Sequence, residues 1–257
     1  MRTNTVKQKL KDGKPVFGAM LTFPSATAVE MLGYMGFDWV LLDNEHGSVT
    51  VDTSEDLIRA AELTGVAPIV RPVANRADVI CPFLDRGAWG VQVPHVNTRA
   101  EAEAAVAACK YFPQGIRGIY SKGRPAEYGM KQSTQDYAKA ANDNTLVCLM
   151  LEEVEAINNI DEIVQVKGID VLFIGSGDLS QSMGFTGQQS HPEVLAMMEK
   201  GVKRIRAAGV HAGVSCPENL VPKFIDLGVR YFHGNVTSFI QSGGEAYLKH
   251  MRKSAGL

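Results

Sequence analysis

The sequence predicts a parallel (β/α)8 barrel of the TIM type, and three observations carry that expectation. Eight short apolar runs recur along the 257 residues. Each is followed by a polar turn and a segment of helical spacing that stops at or near a glycine. Acidic, basic and imidazole side chains cluster where the apolar runs end. In such a barrel all strand carboxyl ends open on one face, and that face carries the chemistry. A doubly wound open sheet is the alternative reading of the same alternation.

The strand candidates lie near 17–21, 38–42, 67–71, 89–94, 146–151, 170–175, 211–215 and 230–234. They are continuous apolar runs, as strands covered on both faces require. Helical patterns follow at Ser25 to Gly36, Thr53 to Gly65, Arg76 to Gly87, Thr98 to Phe112, Val154 to Gly168, Pro192 to Gly209, Pro217 to Gly228 and Ser238 to Met251. No fixed period relates the units, so the repetition is one of topology. Residues 1–257 are expected to form one domain. Asn4 to Asp12 reads as a short helix able to plug the far end of the barrel. Residues 113–144 break the rhythm, and a connection of that length is usually functional or mobile. Because it follows the fourth strand, it is expected over the mouth; a surface excursion without a role is the alternative.

Apolar residues make up 45% and charged residues 21%, with a formal net charge of −2. That balance argues against nucleic acid as a partner, yet leaves room for a small acidic ligand held by one or two arginines. No stretch reaches the roughly 18 apolar residues of a membrane span. Charged residues interrupt the N-terminal segment, so no signal peptide is expected, and a cytoplasmic protein is the default. Asn235-Val236-Thr237 matches a glycosylation sequon, which carries no weight without a secretion signal. A chain of this size buries about three quarters of its unfolded surface, so folding needs no disulfide or structural metal. The four cysteines show no CxxC spacing. Cys81, Cys109 and Cys148 read as core residues, and Cys216 as packing or as part of the mouth. No lysine ends an apolar run; the lysines read as helical and solvated, which weakens a Schiff-base mechanism.

Two strand ends deliver carboxylates: Leu151 runs into Glu152-Glu153, and Ile174 into Gly175-Ser176-Gly177-Asp178. A hard divalent cation takes a few protein oxygens and keeps water or substrate for the rest, which suits Glu152 with Asp178. Both acids also suit an ordinary role at helix N-termini, and Glu153 competes with Glu152. Arg71 ends the run Ala67 to Val70. It serves either a carboxylate or developing oxyanion, or a buried ion pair with Asp43 or Glu45. His46, between Asp43 and Gly47, reads as a general base or as a structural turn residue. Asp85, in Leu84 to Gly87, reads as a solvated charge. Gly175-Ser176-Gly177 lacks the third glycine of a dinucleotide fingerprint, but such a turn can present N–H groups to an anion. Walker A, HExxH and GxSxG motifs are absent.

These residues together resemble the HpcH/HpaI-type class II pyruvate aldolases of the phosphoenolpyruvate/pyruvate barrel superfamily. The segments are LLDNEHG, VRP, GIRG, LVCLMLEEVEAINNIDEI, DVLFIGSGDLSQSMGFTG and HPEV, spread over essentially the whole chain. The resemblance implies a metal-dependent lyase that cleaves or forms 4-hydroxy-2-oxo acids, to or from pyruvate and an aldehyde such as succinic semialdehyde. It implies Glu152 and Asp178 as ligands of Mg2+, or of Mn2+ or Co2+. It implies Arg71 at the keto or enolate oxygen, with Ser176 and Gly177 also binding substrate. His46 would handle protons, with Asp43 and Asp85 as supporting acids. It further implies a homohexamer with exchanged C-terminal helices, here Ser238 to Met251. The chain departs from the family pattern at Met150 (often Gln), at Ser176-Gly177 (Pro-Ala), at Asn235-Val236-Thr237 (often an acid) and in the loop Tyr120 to Tyr128, which keeps Arg124. These differences leave the pyruvate half intact and the aldehyde open. Two alternatives remain: a lyase of acyl-CoA thioesters, for which Lys122 and Arg124 are the visible cations, and a non-catalytic barrel binding a metal–keto-acid complex.

Overall fold

The computed structural model describes residues 3–257. Eight parallel strands, β1 (Val16–Leu21), β2 (Trp39–Asp43), β3 (Ala67–Arg71), β4 (Gly90–Val93), β5 (Leu146–Met150), β6 (Val171–Ile174), β7 (His211–Val214) and β8 (Tyr231–Asn235), close into a barrel in chain order. The open-sheet alternative is thereby excluded, because β8 pairs with β1 from Val16↔Tyr231 to Met20↔Asn235. Each strand lies within a residue or two of its expected position, because a strand buried on both faces reads as a nearly continuous apolar run.

Helices α1 (Thr5–Lys11), α2 (Ala26–Tyr34), α3 (Val51–Thr64), α4 (Ala77–Arg86), α5 (Arg99–Cys109) and α6 (Thr134–Asn144) precede β5. After it come α7 (Val154–Asn158), α8 (Ile160–Ile163), α9 (Ser176–Ser182), α10 (Pro192–Ala207), α11 (Val221–Asp226) and α12 (Val236–Ser254). The pattern expected over 154–168 splits at Asn159, which sits at φ −88°, ψ 6° and serves as the cap between α7 and α8. Two helices were not expected. α6 lies inside the irregular excursion, and α9 starts directly on the Ser-Gly-Asp sequence that reads as a turn.

Side chains alternate between two apolar layers. Trp39, Leu41, Ile69, Cys148, Met150, Phe173 and Tyr231 fill the lumen. Val40, Leu42, Val70, Leu149, Leu172 and Val214 face the helices. The helix at the N-terminus is the expected plug: Val6 and Leu10 join the lumen cluster. Asn4 fastens it. Its Oδ1 accepts from the N–H groups of Val6 (3.1 Å) and Lys7 (3.2 Å), and its Nδ2 donates to the carbonyls of Trp89 (2.8 Å) and Asn144 (3.0 Å).

The 113–144 excursion is not over the mouth. α5 first carries the chain back to the plugged end, and the excursion packs there. Arg124 bonds Glu62 in the last turn of α3 and the Arg86 carbonyl at the end of α4. Tyr111, Ala126, Tyr137 and Ala141 form a small core of their own. Lys110 departs from the solvated reading of the lysines. It is 3% exposed, and its Nζ donates to the carbonyls of Asn142 (2.7 Å) and Thr145 (2.8 Å). Burial brings its pKa down to about 8. A cavity of about 390 Å3 between α4 and the excursion, lined by Arg117, Arg124 and Tyr137, also lies at this end, away from the clustered carboxylates.

α12 buries only Val236 and leaves Ile240, Tyr247, Leu248 and Met251 exposed. Among the described residues, no helix is long and apolar enough to cross a membrane.

Candidate active site

Asp43 and Arg71 end adjacent strands and are paired in register. Both are buried, at 0% and 5% exposure, where lone charges would be costly. The guanidinium answers with a two-pronged bond: Nε to Asp43 Oδ1 and Nη2 to Oδ2, each 2.8 Å. Nη1 lies 3.1 Å from Glu45 Oε2, and Nη2 also reaches Met20 Sδ at 3.5 Å. The ion-pair reading of Arg71 therefore holds for this geometry. It does not exhaust the side chain, because guanidinium has five N–H groups and one on Nη1 is left over.

The turn after β2 wraps around the same carboxylate. Asp43 Oδ1 accepts from the N–H groups of Glu45 (3.1 Å) and His46 (3.4 Å). Gly47 permits the tightness, since a Cβ there would sit 2.4 Å from the Asp43 carbonyl and 2.6 Å from that of Thr22. Asp43, saturated with donors, orients its neighbours. His46 is pushed outward, its side chain 63% exposed, with Nε2 3.8 Å from Glu45 Oε2.

Across the mouth, Glu152 is 1% exposed. Its Oε1 accepts from the His95 main-chain N–H at 2.9 Å, and its Oε2 has no partner. Burial pushes its carboxyl up to about 7, and the negative charges of Asp178 and Glu45 add to that. The His95 N–H and imidazole act against it. Glu153 is separated from Glu152 here: it is the N-cap residue of α7 but its side chain makes no cap bond, turning outward to bond His95 Nδ1 (3.1 Å) and Asn97 Nδ2 (2.8 Å). Asp178 sits in the first turn of α9, and among the described residues its carboxylate has no hydrogen-bond or ion-pair partner.

His95 was not singled out in the sequence. It follows β4 as Arg71 follows its own apolar run, but Pro94 and Val96 on either side disguise it. Its Nε2 lies 3.2 Å from Glu45 Oε1 and its Nδ1 3.6 Å from Glu152 Oε1. Burial opposes its protonation, but Glu152, Glu153 and Glu45 outweigh it and hold the pKa above the ordinary histidine value. Through Glu45 and His95, Arg71 and Glu152 belong to one connected network.

Ser176 and Gly177 divide. The Ser176 N–H donates to Ser215 Oγ (3.1 Å), and the two hydroxyls lie 3.2 Å apart, so that N–H is not open to an anion. The Gly177 N–H, in the first turn of α9, has no intrahelical acceptor. Asp85 lies in the last turn of α4, the end remote from the mouth, where Oδ1 accepts from Arg117 Nη2 at 2.7 Å. Within one chain it does not join His46.

The donor set fits a hard divalent cation. Glu152 offers a bare buried oxygen, Asp178 an unengaged carboxylate, and oxygen is what Mg2+ prefers. Among the described residues no group of three or more His, Cys, Asp or Glu side chains is arranged to hold a metal. The protein would thus supply two ligands and leave the rest to water and substrate, the usual arrangement for Mg2+.

Residues 19–245 match the HpcH/HpaI aldolase/citrate lyase family. The chain is 37% identical over 229 residues to a pyruvate aldolase of Rhizobium etli, covering 89% of each chain. It is 38% identical over 245 residues to a 4-hydroxy-2-oxo-heptane-1,7-dioate aldolase of Salmonella dublin, covering 95% of this chain and 92% of that one. Among solved structures, an HpcH/HpaI aldolase/citrate lyase family protein of Burkholderia cenocepacia superposes with a TM-score of 0.91 at 28% identity, over 97% of this chain and 100% of that one. The eight-stranded barrel with acids, arginine and histidine gathered at its strand ends is thus that of an aldolase-type enzyme, and the chain belongs to the HpcH/HpaI aldolase/citrate lyase family.

Proposed function

We propose that the protein is a class II aldolase. It cleaves or forms 4-hydroxy-2-oxo acids, to or from pyruvate and an aldehyde such as succinic semialdehyde, with Mg2+, Mn2+ or Co2+ held by Glu152 and Asp178. The observation that carries the reading is the unpaired buried oxygen of Glu152, raised in pKa partly by Asp178 and joined through His95 and Glu45 to Arg71. A bound cation supplies Lewis-acid stabilisation of the negative charge that develops on the 2-oxo oxygen.

The side chains do the rest. Arg71 aims its spare Nη1 N–H at that oxygen. Because Asp43 and Glu45 already fix the plane of the guanidinium, the donor needs no reorganisation as charge appears. In cleavage, His46 takes the C4 hydroxyl proton through water; the C3–C4 bond breaks and its electron pair passes into the pyruvate enolate, which is then protonated at C3. In synthesis His46 returns the proton to the new hydroxyl. The exposed position of His46 beside Glu45 suits exchange with water. The acyl-CoA alternative is weakened because Arg124 is engaged with Glu62 at the plugged end. We also propose that further copies of the chain cover the exposed apolar residues of α12 in a homo-oligomer, as a hexamer.

The test is pyruvate release from a 4-hydroxy-2-oxo acid, with and without EDTA. Loss on chelation and rescue by Mg2+, Mn2+ or Co2+ is expected. Turnover indifferent to EDTA refutes the metal role, and metal-dependent pyruvate binding without turnover refutes the enzyme.

A further inference from the structure

We propose that His95 is a positioning residue: its main-chain N–H, held in a left-handed backbone conformation, takes one oxygen of Glu152 and so leaves the other bare for the divalent cation. The inference rests on the metal-dependent reading above and names what makes that carboxylate a ligand.

His95 has φ +53°, a region uncommon for residues other than glycine, which His, Asn and Asp enter more readily than most and β-branched residues hardly at all. Such strain persists only where the surroundings hold it, and it gathers at functional sites. The holders here are specific. The imidazole is stretched between Glu153 Oε1 on Nδ1 (3.1 Å) and Glu45 Oε1 on Nε2 (3.2 Å). On the following residue, the Val96 N–H donates to the Met150 carbonyl at 3.1 Å, tying the chain to the end of β5. With both sides fixed, the His95 N–H meets Glu152 Oε1 at 2.9 Å.

The second oxygen is walled by Gly175. A Cβ added there would come within 2.9 Å of Glu152 Oε2 and 3.2 Å of Glu152 Cβ, so the carboxylate would have to shift from this position to admit one. Glu152 is therefore clamped, with one oxygen bonded to the main chain and the other against a glycine without a hydrogen bond. An unclamped carboxylate would lose rotational freedom on binding a cation; this one has lost it already. Neighbours that orient a ligand typically shift metal affinity by about 10–100-fold. The ring nitrogens bond Glu153 and Glu45, and Nδ1 also lies 3.6 Å from Glu152 Oε1; the main-chain bond is the larger of the two effects of His95 on Glu152.

The test is calorimetric titration of the full chain with Mn2+ alone, without substrate, for the wild type, His95→Gly, His95→Val and Gly175→Ala. Glycine adopts positive φ freely and keeps the N–H, so His95→Gly is expected to bind Mn2+ as the wild type does. Valine resists that conformation, so His95→Val is expected to raise the Kd about 10–100-fold. Gly175→Ala is expected to do the same by crowding Oε2. Melting of each variant in EDTA checks that it folds; should His95→Val not fold, His95→Ala replaces it, with a smaller loss expected. A wild-type Kd in His95→Val, or equal losses in His95→Gly and His95→Val, overturns the proposal. If the wild type itself binds no divalent cation, this proposal falls together with the metal reading; wild-type binding that is unchanged by the substitutions sinks this one alone.

Discussion

Glu152→Gln separates the electrostatics of the mouth from its catalysis. The Glu152 carboxyl is pushed from 4.5 to about 7, chiefly by burial. That difference corresponds to about 3 kcal/mol for ionising the group in the folded chain. The folded state holds the proton more tightly than the unfolded state, so stability without cation is fullest below about pH 4.5. It declines as pH rises towards 7 and stays low above. Glutamine is neutral throughout and still accepts from the His95 N–H. In EDTA, the variant should equal the wild type near pH 4.5 and exceed it at pH 8 by up to about 3 kcal/mol. At about 2–4 °C per kcal/mol for a chain of this size, the gain in Tm is on the order of 6–12 °C. Thermal melts followed by circular dichroism at both pH values read it directly. Adding Mg2+ at pH 8 should then raise the wild type and leave Glu152→Gln unmoved. Parallel melting curves for the two proteins across the whole pH range in EDTA would refute the reasoning.

Arg71→Ala would strip Asp43 of its partner and cost about 3–5 kcal/mol in folding, so Arg71→Lys is the better probe. Lys keeps the charge but lacks the fork, and kcat should fall by about 10²–10³, with an unchanged kcat counting against the role. His46→Ala should lower kcat by about 10²–10⁴ without moving Tm, because the side chain is 63% exposed; steady-state kinetics and a melt decide it together. Asn4→Ala removes a helix cap and should cost about 1–2 kcal/mol in urea denaturation, with kcat untouched because the plug lies at the opposite end from the mouth.

The strands were legible because apolar runs buried on both faces leave few alternatives. The phase of a strand was not. Met150 faces the lumen and Leu151 the helices, which turns Glu152 inward; nothing in the run Leu146 to Leu151 distinguishes its two faces. The excursion was misplaced because its position after the fourth strand was counted without the return trip along α5. Asp85 stands apart for a related reason: a residue in the last turn of a barrel helix is carried away from the strand ends of its own chain. His95 was hidden since its significance lies in φ and in a main-chain N–H, neither of which a side-chain pattern records. Lys110 read as solvated, and only the fold shows the two carbonyls that receive it.

The plug and the filled lumen make the barrel a blind alley. With Val6 and Leu10 sealing one end and Trp39, Phe173 and Tyr231 stacked behind the strand ends, reactants and products share a single doorway. In the aldolase proposed above, an oxo acid seated against Glu152 would occupy the floor of that doorway, and an aldehyde would arrive after it and depart before it: last in, first out.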